Sequence, residues 1–413
     1  MHPLPLLLLL CLLVNPLPTL LAVDLPSIGD PSERLITPDQ ERQLGEAFMR
    51  RLRQQVPFVD DPEIDAYLNG LGNRLVANSD TPSQRFTFFI VKDNAINAFA
   101  APGGFIGSHS ALILAARNES ELAGVMAHEI AHVTQKHLVR AYDSASRMSL
   151  PTAAAILAAI LIGTQDSEAG QAAIMSVQAG SIQQQINFTR DNEKEADRMG
   201  IVTLSKAGHD PFAMAGFFER LSKESRTQEN NAPEFLRTHP VNSNRIADAV
   251  GRAEAYGHRQ KPDSLRFHLT RTDLRQRSFR RADQAVESFR RTLKEGRYAN
   301  ETAEHYGLAL ALERAGNLGE ASSEAKTLRA KLPQQAEMVI LDARLQRRRG
   351  DLDAALANLR EALGLSPTSV PLNMAYAETL MAAGRSADAL RALRVVATQR
   401  PNDPELYKSM SDA

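Results

Sequence analysis

Cysteine is nearly absent. The sole one, Cys11, lies in an apolar leader. Without that leader the chain has no disulfide to depend on and no thiol nucleophile. Net charge is equally scarce: 48 basic and 49 acidic residues leave a formal charge of -1. That excludes the strongly basic face of a typical nucleic-acid binder. Two arginine-rich runs, RQRSFRR (275–281) and RLQRRR (344–349), read as solvated helix faces. A G-x-x-x-x-G-K-[ST] phosphate loop is missing, and Gly103-Gly104 reads as a turn rather than a nucleotide cradle.

Long apolar runs are few. The leader, MHPLPLLLLLCLLVNPLPTLLAVD, has no Asp, Glu, Lys or Arg before Asp24 and a small residue, Ala22, near its end. We read residues 1–22 as a cleaved secretory signal peptide, although its start lacks the usual lysine or arginine. Leu10 before Cys11 does not fit a lipoprotein signal. The compartment this implies is a bacterial periplasm. LPTAAAILAAILIG (150–163) is short of the roughly 20 residues that cross a bilayer. It reads as a buried helix, with a peripheral segment against a membrane as the alternative.

What remains is an ordinary globular composition, 43% hydrophobic and 23% charged over 413 residues. Such a chain makes two or three domains. The last third repeats itself. Gly316, Gly350 and Gly384 are evenly spaced, and so are Ala309, Ala343 and Ala377, Ala321, Ala355 and Ala389, and Pro333, Pro367 and Pro401. All four columns share a period of about 34 residues, which resembles the tetratricopeptide repeat, a helix–turn–helix unit that stacks into a solenoid. The consensus aromatic near each repeat start is mostly missing. ADQAVESFRRTLKEG (282–296) reads as the second helix of a degenerate earlier repeat, and the basic stretch 256–278 as the seam between domains.

Ahead of that seam, 38–55 and 61–78 carry helical spacing. FTFFIV (86–91) and INAFAA (96–101) read as strands, with PGG (102–104) turning into FIGSHSAL (105–112). Helices resume from Glu119. The expected organisation is a signal peptide over 1–22, a catalytic domain over 23–265 and a repeat domain over 266–413. The expected class is mainly α with a small β-sheet.

The chemistry is concentrated in HEIAH, residues 128–132. On a helix, positions i and i+4 share a face, so His128 and His132 can grip one Zn2+. Glu129 can hold a water and take its proton as the water attacks a carbonyl. This spacing is the metalloprotease signature. A third ligand is needed. The metzincin pattern would place glycine and histidine where Gln135 and Leu138 stand, so it fails. His137 falls off the shared face and reads as a bystander. Further on, NFTRDNEKEADRMG (187–200) sets Glu193 and Asp197 at i and i+4, with Glu195 on another side. Alone, that would be an acidic, solvated helix turn. Following HEIAH, it can supply Glu193 as carboxylate ligand and Asp197 as hydrogen-bond partner of a ligating imidazole.

HEIAH, then NEKEAD, then THPVNSNR (238–245), with NAFAAPGGFI (97–106) ahead, resemble the metallopeptidase family of the HtpX and CAAX prenyl proteases. The resemblance covers roughly residues 38–250. It implies a gluzincin-type zincin fold and zinc metalloendopeptidase activity, with one zinc held by His128, His132 and Glu193 and Glu129 as general base. It implies that the strand of Asn97, Ala98, Phe99 and Ala100 borders the cleft and pairs with an extended substrate. It places His239 on a loop able to cover the metal, and His239 or Arg245 near the tetrahedral intermediate. His209, at a helix end before Asp210-Pro211, is expected to carry no chemistry.

HtpX and the prenyl proteases span membranes, whereas a leader, a protease domain and terminal repeats resemble the family's periplasmic members. For this chain the resemblance implies quality control of outer-membrane β-barrel proteins, with misassembled barrels as substrates and the barrel-assembly machinery as partner of the repeats. Chaperone-like assistance is a second role. Two alternatives stay open: a non-proteolytic chaperone or scaffold with a plugged or structural zinc site, and a protease attached to the membrane.

Overall fold

The computed structural model describes residues 37–138, 190–227, 233–400 and 404–412. The leader and LPTAAAILAAILIG lie outside the described residues. Among the described residues, no helix is long and apolar enough to cross a membrane.

The first domain opens with α1 (Pro38–Gln55) and α2 (Pro62–Val76). Both begin where side chains satisfy the first backbone N–H groups. Thr37 and Gln40 cap α1 reciprocally, and the Asp61 carboxylate caps α2. A three-stranded sheet follows: β1 (Thr87–Val91), β2 (Ala98–Ala101) and β3 (Phe105–His109), in the order β1-β3-β2. β3 pairs parallel with β1 and antiparallel with β2. The β2–β3 connection turns through Pro102–Gly104, where Gly104 has a φ of 78° and a Cβ would lie 2.2 Å from the Arg85 carbonyl oxygen. Only glycine fits there.

The two sheet edges are treated differently. The Asn69 amide accepts from Phe88 N–H (3.2 Å) and donates to the Phe88 carbonyl (3.0 Å). Val59 N–H donates to the Ile90 carbonyl (3.0 Å), and Lys92 N–H to that of Pro57 (2.8 Å). The β1 edge is thereby sealed. The outer edge of β2 pairs with no strand among the described residues. The alternation of the ladder turns the peptide groups of Ala98 and Ala100 to that side, while His109 N–H donates to the Asn97 carbonyl (2.9 Å).

The helices that build the site come next: α3 (Ser110–Ala115), α4 (Glu119–Thr134), α5 (Arg190–Lys206), α6 (Phe212–Thr227), α7 (Glu234–Thr238) and α8 (Ser243–Glu254). α4 is the central element. Every residue from Glu119 to Val133 is buried, and beyond the polar first turn, Glu119–Glu121, the polar side chains are His128, Glu129 and His132. Phe217, Phe218, Phe235, Met214 and Leu204 pack around it in one continuous core.

The second domain begins with α9 (Leu265–Ser278) and α10 (Ala282–Glu295), both packed on the next helix, and continues as antiparallel helix pairs: α11 (Glu301–Arg314) with α12 (Leu318–Lys331), α13 (Ala336–Arg348) with α14 (Leu352–Leu365), and α15 (Val370–Ala382) with α16 (Ser386–Gln399). α17 (Pro404–Asp412) follows. Gly316, Gly350 and Gly384 have φ of 82°, 87° and 69°. The repeated glycine marks the left-handed turn between paired helices.

The stretch 256–278, read from sequence as a seam, is helical from Leu265. Phe267, Leu269, Thr270 and Leu274 are buried. Its arginines hid this. Arg275 pairs with Glu304, and Arg277 with both Asp61 and Asp273. The domains meet along α2, whose acids face the solenoid: Asp61 with Arg277, Glu63 with Tyr306 Oη (3.4 Å) and Asp65 with Arg400 (3.2 Å).

Candidate metal centre

α4 presents His128 and His132 one turn apart, and α5 crosses it closely. Glu193, Asp197, Gly200 and Leu204 form one stripe on α5 at i, i+4, i+7 and i+11. A Cβ on Gly200 would lie 3.2 Å from the His128 backbone nitrogen and 3.3 Å from the Ala127 carbonyl carbon. The bare glycine therefore lets α5 approach until Glu193 reaches the imidazoles.

His128 Nε2 lies 3.0 Å from His132 Nε2 and 3.6 Å from Glu193 Oε2. His132 Nε2 is 3.4 Å from Glu193 Oε1. A fourth group joins them: His239 Nδ1, 3.3 Å from His128 Nε2 and 3.1 Å from Glu193 Oε1. All four side chains are buried, and one ligand atom of each lies within 4.8 Å of the others. A tetrahedral ion with bonds of about 2.0–2.1 Å has ligand–ligand edges of about 3.3–3.4 Å. The five separations scatter around that value. Packing so many lone pairs into a dry pocket is costly unless a cation satisfies them. The donor set, three imidazoles and a carboxylate, fits a metal of the zinc type.

Surrounding groups orient the ligands. Asp197 Oδ1 is 3.0 Å from His128 Nδ1, which directs the Nε2 lone pair into the cluster. Arg245 holds Asp197 in a two-pronged bond, Nε and Nη2 each at 2.8 Å. Its Nη1 reaches Glu193 Oε2 (2.7 Å) and the Pro240 carbonyl (2.8 Å). Arg245 thus ties the His239-Pro240 turn to the carboxylates, and its guanidinium is fully engaged by them. α7 anchors the same turn through Phe235 N–H to the Ile96 carbonyl (2.9 Å), just before β2.

Glu129 is buried, and no side chain among the described residues makes a close hydrogen bond to its carboxylate, which the Ala100 backbone N–H faces. Its Oε1 is 3.5 Å from His239 Nε2. Burial raises its pKa, against the pull of His239 and His128. A carboxylate kept basic beside the candidate ligands suits a general base. Glu193 is held well below the ordinary range: burial opposes its charge, but His239, His128 and His132 outweigh that. Burial opposes the Asp197 charge too, and His128 and Arg245 overcome it.

The sequence-derived candidates Glu129, His128, His132, Glu193, Asp197, His239 and Arg245 therefore meet in one place. Ala98, Phe99 and Ala100 lie in β2, with Asn97 just before it, and the strand lies against α4. His209 lies elsewhere, between Ser120 Oγ (3.4 Å) and Lys261 Nζ (2.9 Å). His137 differs from its reading as a bystander: it is fully buried, with Nδ1 only 2.8 Å from His132 Nδ1. Spacing on a helix could not show this, because α4 ends at Thr134 and Lys136 adopts a left-handed φ of 53° that turns the chain back. Gly200 also builds the site, and its place in the Glu193–Asp197 stripe is the sequence signal for it.

A helix bearing HEIAH, crossed by a helix offering a carboxylate and flanked by an edge strand, defines a metallopeptidase. The family model for peptidase family M48 matches residues 62–253, and that for the tetratricopeptide repeat matches 347–412. The chain is 33% identical to the beta-barrel assembly-enhancing protease of Yersinia pestis, over 94% of this chain and 80% of the relative. It is 35% identical to that of Escherichia coli over 86% of this chain and 72% of the relative. A putative beta-barrel assembly-enhancing protease of Vibrio cholerae is 45% identical over 70% of this chain, a match that spans 60% of the relative's length. The chain belongs to peptidase family M48.

Proposed function

We propose that the chain is a periplasmic zinc endopeptidase that cleaves misassembled outer-membrane β-barrel proteins. The observation that carries this is the convergence of His128, His132 and Glu193 on one point, with the buried Glu129 carboxylate beside it. The names of the relatives support the substrate class, and the leader over 1–22 supports export.

His128, His132 and Glu193 would hold the ion. When bound, zinc makes water acidic enough to attack at neutral pH and polarises the substrate carbonyl. The chain's own residues do the rest. An extended substrate adds to the outer edge of β2, where peptide groups of Ala98 and Ala100 fix its register. Main-chain pairing of that kind accepts many sequences, which suits misfolded clients. Glu129 accepts the proton of the attacking water and returns it to the leaving amine. His239 must leave its place among the ligands for water and substrate to enter. In the closed site His239 occupies the fourth position, and Arg245 holds its turn through the Pro240 carbonyl. The repeats would bind the barrel-assembly machinery or its clients.

A second reading is favoured by one observation, the four-ligand cluster closed by His239. There the site is plugged and the repeats act as a chaperone. Purified protein tests both. Under the protease reading it binds one zinc, cleaves an unfolded barrel protein, and loses cleavage in Glu129→Gln. His239→Ala then raises proteolysis. If zinc does not bind after reconstitution, or Glu129→Gln cuts as well as the parent, the protease reading fails. A client-protection activity that persists in Glu129→Gln while no variant cleaves would support the second.

A further inference from the structure

The two histidines of HEIAH are supported differently. His128 meets a carboxylate, Asp197, directly. His132 meets another histidine. Its Nδ1 lies 2.8 Å from His137 Nδ1, with the rings 4.9 Å apart and inclined at 74°. The opposite nitrogen, His137 Nε2, lies 3.1 Å from Glu195 Oε2. His137 is fully buried, and the Glu195 side chain is 30% exposed.

Two ring nitrogens 2.8 Å apart need a proton between them: one donates and the other accepts. His132 Nε2 faces Glu193 and His128 in the cluster. To present a lone pair there, neutral His132 must carry its hydrogen on Nδ1. It then donates to His137 Nδ1, and His137 carries its own hydrogen on Nε2 and donates to Glu195. The Glu195 charge thereby stabilises the imidazole that lends its lone pair to the metal.

We propose that His137 and Glu195 are positioning residues for the metal ligand His132, fixing its tautomer and ring orientation through an imidazole–carboxylate relay. This rests on the reading of His128, His132 and Glu193 as metal ligands. The first turns of α5 then serve both ligating histidines at once. Glu193 supplies the third ligand, Asp197 orients His128, and Glu195, on the other side of the helix, orients His132 through His137. The left-handed residue Lys136 makes this possible by returning the chain to α4 immediately after it ends.

The test is zinc affinity, measured by competition with a chromogenic chelator on the full-length mature protein. Outer partners of ligating histidines typically contribute 10–100-fold in metal affinity. His137→Ala should weaken zinc binding by about that factor. His137→Gln, whose amide can both accept from His132 and donate to Glu195, should restore affinity to within a few-fold of the parent. Glu195→Ala, at a partly exposed site on α5, should weaken binding in the same direction and provides the measurement if His137→Ala does not fold. Cobalt substitution adds a spectroscopic check: the visible ligand-field bands should shift in His137→Ala and return in His137→Gln. Parental affinity in His137→Ala and Glu195→Ala would overturn the proposal and leave the metal site standing. A His137→Gln protein that folds yet binds as weakly as His137→Ala would also overturn it, because packing alone would then explain the loss. Failure of the parent to bind zinc at all would overturn the site and the relay together.

Discussion

Gly200 sits where α5 crosses α4, and enlarging it should separate the two halves of the metal centre. A methyl group there would lie 2.7 Å from Met214 Cε, 3.2 Å from the His128 nitrogen and 3.3 Å from the Ala127 carbonyl carbon. Met214 ends in a flexible thioether and can move. The α4 backbone cannot yield without carrying His128 with it. Alanine gains about 1 kcal/mol in helix propensity over glycine, and overpacking costs about 1–3 kcal/mol. Gly200→Ala should therefore fall between neutral and about 2 kcal/mol less stable. Valine forgoes most of the propensity gain and adds two methyl groups, so Gly200→Val should be less stable by about 2–4 kcal/mol. Because Glu193 rides on the same stripe, zinc affinity should fall in step, alanine before valine. Calorimetric unfolding without metal and chelator competition with it give the two numbers. A valine variant as stable and as zinc-avid as the parent would show that the close crossing does not position Glu193.

Four further outcomes are expected. Arg245→Ala removes the clamp on Asp197 and Glu193 and should weaken zinc binding by about 10–100-fold, read by chelator competition. Burial, with Lys261 beside it, depresses the His209 pKa from 6.5 to about 4. The unfolded chain therefore takes up the proton first as pH falls, so this contribution is present above pH 6.5 and is lost between about 6.5 and 4, at most about 3 kcal/mol. Denaturant titrations across that range should slope less in His209→Gln. Asp65 runs the other way: burial outweighs Arg400 and lifts it to about 7. Its contribution is present below pH 4 and declines as pH rises from about 4 to 7, and Asp65→Asn should remove that decline. Arg277→Met strands Asp61 and Asp273 at the domain seam. The cost should be about 2–3 kcal/mol, below the about 3–5 of a fully buried pair because Arg277 is 35% exposed, and thermal unfolding would report it.

Much of this was legible because helical spacing is a direct geometric code. HEIAH needed only an i, i+4 rule, whereas the Glu193–Asp197 pair, on its own a solvated helix turn, took its meaning from HEIAH ahead of it. The recurring glycine likewise announced the turns of the solenoid. What stayed hidden depended on chain reversal or compensation. His137 reaches the site through a left-handed residue that no periodicity predicts. α9 is disguised by arginines whose partners, Asp61 and Glu304, lie far away in sequence. The link from Arg245 to the Pro240 carbonyl is a loop contact without a spacing signature.

A protease that acted on unpaired strands would risk being captured by them. Here Asn69 blocks the far side of the sheet with a side chain shaped like a peptide bond, and residues 57–59 complete the barrier. Under the proposed function a client strand reaching the sheet would find one berth, beside the residues proposed to cut it. Replacing Asn69 with an apolar residue would open a second berth, from which a bound strand could recruit others instead of being cut.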